Sequence, residues 1–172
     1  MKIPTISVPI IQIPLQKNIQ LFLKREDLIH PQISGNKYWK LFYNISFYLD
    51  QNPENPFVIT FGGAFSNHIA ATAALGKKYN LKTLGIIRGE ELAEKWRENP
   101  TLKSASENGM QFRFASRDEY REKDTLTQIL QKEFPDALII PEGGTNEQAV
   151  EGIQLMLNSK TKSFDYLCTA VG

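Results

Sequence analysis

The chain has 172 residues, 41% hydrophobic and 23% charged, and its 20 basic and 19 acidic residues leave a net charge of +1, which suits one ordinary globular domain or two small lobes. Balanced charge argues against nucleic-acid or polybasic membrane binding, and no apolar run is long enough to span a membrane. The single Cys168 excludes a disulfide framework and a cysteine-based metal site. Taken together, these properties of the sequence lead us to expect a cytoplasmic α/β enzyme.

The first 30 residues predict extended edge segments, because proline interrupts their apolar stretches and residues 20–24 then form a short apolar run between polar ends. Beyond them, short apolar runs occur at regular intervals. They cover residues 57–61, 83–87, 111–115, 137–141 and 166–171. Near-continuous apolar runs are typical of strands that are buried on both faces of a parallel sheet.

Helical patterns fill the intervals between these runs. They cover residues 38–49, 66–79, 99–109, 126–134 and 145–157. Local signals mark several ends: Asn80 follows the second helix, Asn99 precedes a first-turn proline, and Thr145 opens a capping box. Alternating strands and helices predict βαβ units in an open, doubly wound parallel sheet with helices on both faces.

A glycine pair at residues 62 and 63 lies between the first sheet strand and the second helix. Ligands in open α/β sheets bind beyond the carboxyl ends of strands, close to helix N-termini, and Ser66 and Asn67 would add donors there. The same residues also suit a tight turn with Ser66 as the N-cap. They lack the spacing of a dinucleotide-binding fingerprint.

A second glycine pair, Gly143 and Gly144, lies between the predicted strand at 137–141 and the helix that follows it, and Thr145 comes directly after the pair. Two such turns at one sheet edge favour a shared cleft for an anion or another ligand. His68 is the histidine nearest to these turns. No companion ligand has suitable spacing, so the sequence assigns it no metal role.

Lys37 and Lys40 lie in the first turn of the first helix, where the helix dipole disfavours each cation by about 0.3–1 kcal/mol. If both side chains reach water, that cost is small. Alternatively, an anion binds at this helix start, and Lys37 has a lowered pKa because of partial burial and a neighbouring cation. A nucleophilic lysine beside an anion site is what pyridoxal phosphate requires for covalent attachment.

Four motifs occur in register along the chain: Lys24-Arg-Glu-Asp27, Gly35-Asn-Lys37 with Lys40, Ser66-Asn-His68 and Pro141-x-Gly-Gly144. Together they resemble the 1-aminocyclopropane-1-carboxylate deaminase/D-cysteine desulfhydrase family over essentially all 172 residues. The resemblance implies pyridoxal 5'-phosphate as cofactor, a small amino acid as substrate and a homodimer in the complete protein. It also implies the tryptophan-synthase-β-like fold, pyridoxal-phosphate fold type II.

The resemblance implies cofactor-binding roles for individual positions. Lys37 would hold the cofactor as a Schiff base and then move a proton at the substrate carbon. Lys40 would help bind the cofactor phosphate, and Asn67 would hydrogen-bond the phenolic oxygen of the pyridoxal ring. The turn formed by Gly143, Gly144 and Thr145 would form part of the wall around cofactor or substrate.

The substrate carboxylate would be received at the start of the second helix, by Ser66, Asn67 and His68. Histidine at this position is similar to the desulfhydrases, whereas the deaminases that open the cyclopropane ring have a residue more like glutamine. D-Cysteine is therefore the favoured substrate. The charged motif of residues 24–27 is interpreted as structural.

In the family, the strand matching residues 166–171 leads into a phosphate-binding loop and then roughly as much chain again. The resemblance therefore covers only the N-terminal half of the family's proteins. We assign residues 1–44 to the larger lobe, residues 45–158 to the smaller α/β lobe, and residues 159–172 to the start of the cofactor-phosphate lobe, whose remainder is largely missing.

The predicted function is pyridoxal-phosphate-dependent β-elimination or deamination of a small amino acid. Within this class, a 1-aminocyclopropane-1-carboxylate deaminase and a serine/threonine-type eliminase are the alternatives. An alternative of another class is a truncated, catalytically inactive fragment that binds pyridoxal phosphate weakly. A further alternative is a nucleotide-binding lobe that uses the two glycine-pair turns.

Overall fold

The computed structural model describes residues 6–16, 18–157 and 161–169. Its strands are β1 (Ile10–Ile13), β2 (Leu21–Lys24), β3 (Phe57–Gly62), β4 (Lys82–Arg88), β5 (Gln111–Ala115) and β6 (Leu138–Ile140). Its helices are α1 (Asn36–Leu49), α2 (Asn67–Tyr79), α3 (Pro100–Glu107), α4 (Arg117–Arg121), α5 (Lys123–Glu133) and α6 (Glu147–Gln154). Short 3-10 turns cover Glu26–Leu28, Glu90–Leu92, Trp96–Glu98, Glu142–Gly144 and Thr161–Ser163.

The main sheet is parallel, and its four strands lie in the order β5-β4-β3-β6. In the register of the sheet, Val58 lies between Thr83 and Leu138. The chain thus builds outward from β3 and then crosses back to place β6 on the other side of β3. The carboxyl ends of β3 and β6 flank this reversal, which is where ligands bind in open α/β sheets.

Successive side chains of β3 point to opposite faces of the sheet and define two buried layers. Val58 packs in a cluster with residues of α1 and α2, such as Phe42 and Leu75. Ile59 packs in a separate cluster that includes Leu130 of α5. Helices therefore cover both faces, and the predicted three-layer α/β/α lobe is confirmed.

Local signals in the sequence set several helix ends. Ser66 and Asn99 cap α2 and α3, accepting hydrogen bonds from the backbone N–H groups of Ile69 and Leu102. Asn80 ends α2 in the left-handed conformation, with φ of 54°. The prediction that Thr145 opens a capping box is wrong, because Asn146 is the N-cap of α6 and accepts a hydrogen bond from the backbone N–H of Ala149.

The extended N-terminal segments form an antiparallel hairpin of β1 and β2, as predicted. The fifth predicted strand is wrong over residues 166–169, which have no regular structure, while residues 170 and 171 lie outside the described residues. Tyr166 and Leu167 are 89% and 60% exposed. A strand needs a neighbouring strand for its backbone hydrogen bonds, and none of the described strands borders this segment.

Helix α1 runs unbroken from residue 36 to residue 49, so the proposed lobe boundary between residues 44 and 45 falls inside it. Its buried face includes Phe42 and Ile45, which lie in the core beside the sheet. Helix α6 packs closely on α1, since a Cβ at Gly152 would lie 2.4 Å from the carbonyl oxygen of Trp39. The division into lobes stays a prediction.

Candidate active site

The structure brings three predicted features together at the carboxyl edge of the sheet. The Nζ of Lys37 donates to the carbonyl oxygen of Gly143 at 3.3 Å, and the Nζ of Lys40 donates to Thr145 Oγ1 at 2.9 Å. The ring of His68, in the first turn of α2, lies against Gly144, where a Cβ would be 3.0 Å from its Cε1. The start of α1, the start of α2 and the β6–α6 turn thus form one site.

The start of α1 is held in place by the segment that follows β2. The backbone oxygen of Glu26 accepts from Gly35 N–H at 3.0 Å, and its carboxylate accepts from Trp39 Nε1 at 2.8 Å. Lys24 pairs with the same carboxylate and donates to the Met156 carbonyl oxygen at 2.5 Å. These contacts give Lys24 and Glu26 the structural role interpreted from the sequence, because they link the end of β2 to the start of α1 and to Met156.

The first turn of α1 contains Lys37 and Lys40 and no acidic residue. Burial, and secondarily the charge of Lys40, lower the pKa of Lys37 below its usual value. Lys37 is only partly buried. The sequence predicted both causes of this shift, and a lysine of lowered pKa is more readily a neutral nucleophile or base.

The N-terminus of α2 presents donors to the same region. Ser66 accepts from Ile69 N–H at 3.3 Å, which leaves its hydroxyl hydrogen available to a ligand. Asn67 is exposed at the start of the helix. The helix dipole adds partial positive charge at this point, so the arrangement can bind a carboxylate or a phosphate oxygen.

A cavity of about 470 Å³ lies between the starts of α1 and α2 and the side of α3, and Lys37 and Asn67 line it. This volume is typical of small-molecule sites. Ser104 and Asn108 line the opposite wall. Neither residue is indicated by the sequence, because a serine and an asparagine near the end of a short helix belong to no motif.

A larger open depression of about 930 Å³ lies near the amino ends of β3 and β6, beside Phe57 and Asp136. It contains none of the residues predicted for the site. The smaller cavity is the candidate active site, because it contains the lysine of lowered pKa and lies at the start of α2.

Of the predicted site residues, Lys37 and Asn67 line this cavity, whereas Lys40, Ser66, His68, Gly143, Gly144 and Thr145 do not. The ring of His68 is buried. It is 2% exposed, and its Nε2 lies 2.7 Å from the hydroxyl of Thr60 in β3. Burial, followed by the charges of Lys37 and Lys40, lowers the pKa of His68 to about 3, so the ring is neutral. At the helix start, therefore, only the backbone of His68 is placed to meet an anion.

The donor set fits a phosphorylated aldehyde cofactor. Lys37 supplies a partly buried amine, Lys40 supplies a cation one turn further on, and Gly143 and Gly144 place no side chain at the middle of the β6–α6 turn. Among the residues described here, no group of histidine, cysteine and carboxylate side chains could hold a metal ion. None of the described helices is long and apolar enough to cross a lipid bilayer.

Comparison with known proteins extends these observations. No protein-family model matches the chain. The bifunctional D-cysteine desulfhydrase/1-aminocyclopropane-1-carboxylate deaminase of Arabidopsis thaliana, named as mitochondrial, is 30% identical over 92% of this chain and 43% of its own length. A Thermotoga maritima protein assigned as a 1-aminocyclopropane-1-carboxylate deaminase is 30% identical over 88% of this chain and 50% of its own length.

Solved structures show the same fold. A homologue of 1-aminocyclopropane-1-carboxylate deaminase matches with a TM-score of 0.64 and 26% identity, over 85% of this chain and 45% of that one. A pyridoxal 5'-phosphate-dependent aspartate racemase matches with a TM-score of 0.63 at 18% identity, over 92% of this chain and 47% of that one.

The fold is therefore that of the pyridoxal-phosphate fold type II enzymes. Within that class, the predicted resemblance is confirmed, because the homologues of this chain are named as 1-aminocyclopropane-1-carboxylate deaminases and a D-cysteine desulfhydrase. The chain spans about half the length of these relatives.

Proposed function

We propose that this chain is the part of a pyridoxal-phosphate-dependent deaminase or desulfhydrase that carries the cofactor-binding lysine. The observation that supports the proposal is Lys37, a partly buried lysine of lowered pKa whose Nζ donates to the Gly143 carbonyl oxygen at the carboxyl edge of the sheet. The substrate would be a small amino acid, with D-cysteine favoured.

When bound, pyridoxal phosphate supplies an electron-withdrawing ring that eases loss of the substrate's α-proton. Lys37 would attach the cofactor and then take or return that proton through its Nζ. Lys40, held by Thr145 at 2.9 Å, would neutralise a phosphate oxygen. Asn67 would donate to the phenolic oxygen, and Gly143 and Gly144 would allow the ring to approach the backbone.

The substrate carboxylate would bind at the start of α2. The Ser66 hydroxyl and the backbone N–H groups of Asn67 and His68 would be its donors, with the helix dipole adding to the attraction. This assignment uses the backbone of His68 rather than its ring, because the ring is buried and its Nε2 contacts Thr60.

The cofactor proposal is tested by incubating the chain with pyridoxal phosphate, reducing with borohydride and mapping the labelled peptide. We expect label on Lys37 to exceed label on the exposed Lys103, and Lys37→Ala to abolish the excess. Lys103→Ala is the matched control. Equal labelling of both lysines, or unchanged total labelling in Lys37→Ala, would contradict the proposal. Nucleotide binding that survives Lys37→Ala would favour the nucleotide-binding alternative.

An inactive fragment remains the second candidate, supported by the chain's coverage of only 43% and 50% of two relatives. We expect this chain alone to bind the cofactor weakly and to release no ammonia from D-cysteine. The substrate is tested on a protein extended to the relatives' full length, with D-cysteine, D-serine, L-serine and 1-aminocyclopropane-1-carboxylate compared. Turnover of one of the other three substrates, with no turnover of D-cysteine, would contradict D-cysteine as the favoured substrate.

We further propose a homodimeric, cytoplasmic complete protein in which residues 45–158 form the smaller lobe and residues 1–44 and 159–172 belong to the larger one. Exposed apolar residues on the hairpin support the lobe division, because they present a face that a larger lobe could cover. They include Ile11, Leu21 and Leu23. Sedimentation of the extended protein tests the dimer, and a monomer at micromolar concentration would contradict it.

A further inference from the structure

The hydroxyl of Thr60 decides which nitrogen of His68 carries a hydrogen. Thr60 is fully buried in β3 and donates to the carbonyl oxygen of Ile140 at 2.9 Å. A threonine hydroxyl has one hydrogen, and a carbonyl oxygen can only accept. The contact of 2.7 Å between Thr60 Oγ1 and His68 Nε2 must therefore use a hydrogen on Nε2.

The other ring nitrogen of His68 is consequently an acceptor without a donor. The ring is 2% exposed, and Nδ1 has no hydrogen-bond partner among the described residues. It lies beside the β6–α6 turn, because a Cβ on Gly144 would be 3.5 Å from Nδ1 and 3.7 Å from the Cβ of Lys40. A buried acceptor without a donor is costly, so this nitrogen is expected to have one in the working site.

Lys37 is the donor best placed to supply that hydrogen bond. Its Nζ reaches the carbonyl oxygen of Gly143, the residue before the one that packs on the ring, at a rather long 3.3 Å. An ammonium has three hydrogens, so this contact leaves others free. Lys40, the other nearby cation, also has free hydrogens, but its Nζ lies at Thr145 Oγ1, two residues past Gly143, and its charge acts on the His68 ring less strongly than that of Lys37.

We propose that Thr60 is a positioning residue, which holds His68 as the neutral Nε2–H tautomer so that Nδ1 accepts a hydrogen bond from the Lys37 Nζ. Burial beside two lysines keeps the ring from taking a second proton. A Lys37 amine that donates to Nδ1 has its lone pair turned away from the ring and available to a reactant. This last step rests on the proposed function, whereas the tautomer and the hydrogen bond do not.

The tautomer is tested by ¹⁵N–¹H correlation spectra of the histidine rings in this chain, without cofactor. His30 and His68 are its two histidines, and the less buried His30 is identified by titrating at higher pH. We expect His68 at neutral pH to carry hydrogen on Nε2 alone. Thr60→Val should shift the ring toward the Nδ1–H form, and Thr60→Ser should restore the original pattern. A charged ring or an Nδ1–H ring in the unsubstituted chain would overturn the proposal without any variant.

The donor is tested by comparing Lys37→Met with Lys40→Met. Loss of the hydrogen bond in Lys37→Met should move the Nδ1 resonance toward that of an unbonded nitrogen, and Lys40→Met should leave it close to the original value. An Nδ1 resonance that is unchanged in Lys37→Met would overturn the role of Lys37. Borohydride labelling of Lys37 is measured separately and tests the proposed function. If the spectra are as expected but Lys37 is not labelled, the proposed function is refuted and the hydrogen bond is still supported.

Discussion

The Nζ of Lys37 lies 3.3 Å from the carbonyl oxygen of Gly143, although the two residues are 106 positions apart in the chain. The contact joins the first turn of α1 to the turn between β6 and α6. Each of these two motifs is ambiguous in the sequence, because a lysine at a helix start and a glycine pair both have ordinary structural explanations. Their meeting at the carboxyl edge of the sheet makes a common ligand site the better interpretation.

Lys40→Met should raise the pKa of Lys37. The charge of Lys40 disfavours the Lys37 ammonium, so removing it favours protonation and lowers the fraction of neutral amine at a given pH. The pH dependence of Lys37 modification by an amine-reactive reagent, followed by mass spectrometry, measures this change. Thr145→Val is the control, since it removes the partner of Lys40 but keeps the charge. A modification midpoint that does not move in Lys40→Met would contradict the electrostatic coupling.

Stability should fall on acidification because of His68. Its pKa is about 3 in the folded chain and about 6.5 when unfolded, so below pH 6.5 the unfolded state binds more protons. The free energy of unfolding falls by at most about 1.4 kcal/mol per pH unit. Between about pH 5 and 6.5 this loss is separate from the effect of carboxylates, which take up protons at lower pH. Urea unfolding at several pH values measures it.

His68→Asn should flatten this pH dependence in that interval. The pKa of His30 is also lowered, by burial and then by Lys78, so His30 contributes in the same direction. Chains with His30→Asn, with and without His68→Asn, therefore form the matched pair. Equal slopes in the two chains would show that His68 is not buried in its neutral form.

Gly152→Ala should destabilise the chain by about 1–3 kcal/mol. A Cβ there would lie 2.4 Å from the carbonyl oxygen of Trp39, and that backbone atom can move only if α6 separates from α1. Alanine's greater helix propensity, worth about 1 kcal/mol, opposes this loss, but it is smaller than the free-energy cost of a severe overlap. Gly63→Ala is the control, because its nearest atom is Arg88 Nη2 at 3.7 Å. Urea unfolding that ranks Gly63→Ala as the more damaging change would refute the packing argument.

Asn146→Ala should cost about 1–2 kcal/mol, as loss of an N-cap does. Its Oδ1 accepts from Ala149 N–H at 2.9 Å, and its Nδ2 donates to Asn44 Oδ1 at 2.6 Å. Thr145→Ala removes only an exposed contact with Lys40, so its cost should stay below about 0.5 kcal/mol. Thermal unfolding of both variants decides the order. A larger loss of stability in Thr145→Ala than in Asn146→Ala would support the capping box at Thr145 that the sequence predicted.

That capping box shows where local reasoning fails. Thr145 and Asn146 both accept hydrogen bonds well at a helix start, and sequence spacing alone does not choose between them. The choice depends on α1, because Lys40 takes the hydroxyl of Thr145 and Asn44 pairs with the amide of Asn146. By contrast, the sequence identifies Ser66 and Asn99 correctly as N-caps, and each accepts from the backbone N–H three residues ahead without a side chain from another helix.

The amino-acid sequence by itself determined the alternation of the four parallel strands with helices, several helix ends and the lysine of lowered pKa, although it did not indicate α4. These properties follow from interactions within a few residues: polarity patterns, caps and neighbouring charges. Only the tertiary structure decided that Lys37 reaches Gly143, that the ring of His68 turns inward to Thr60, and that residues 166–169 form no strand. Hydrogen bonds of buried groups and pairing of strands require partners from distant segments, and local sequence does not specify their positions.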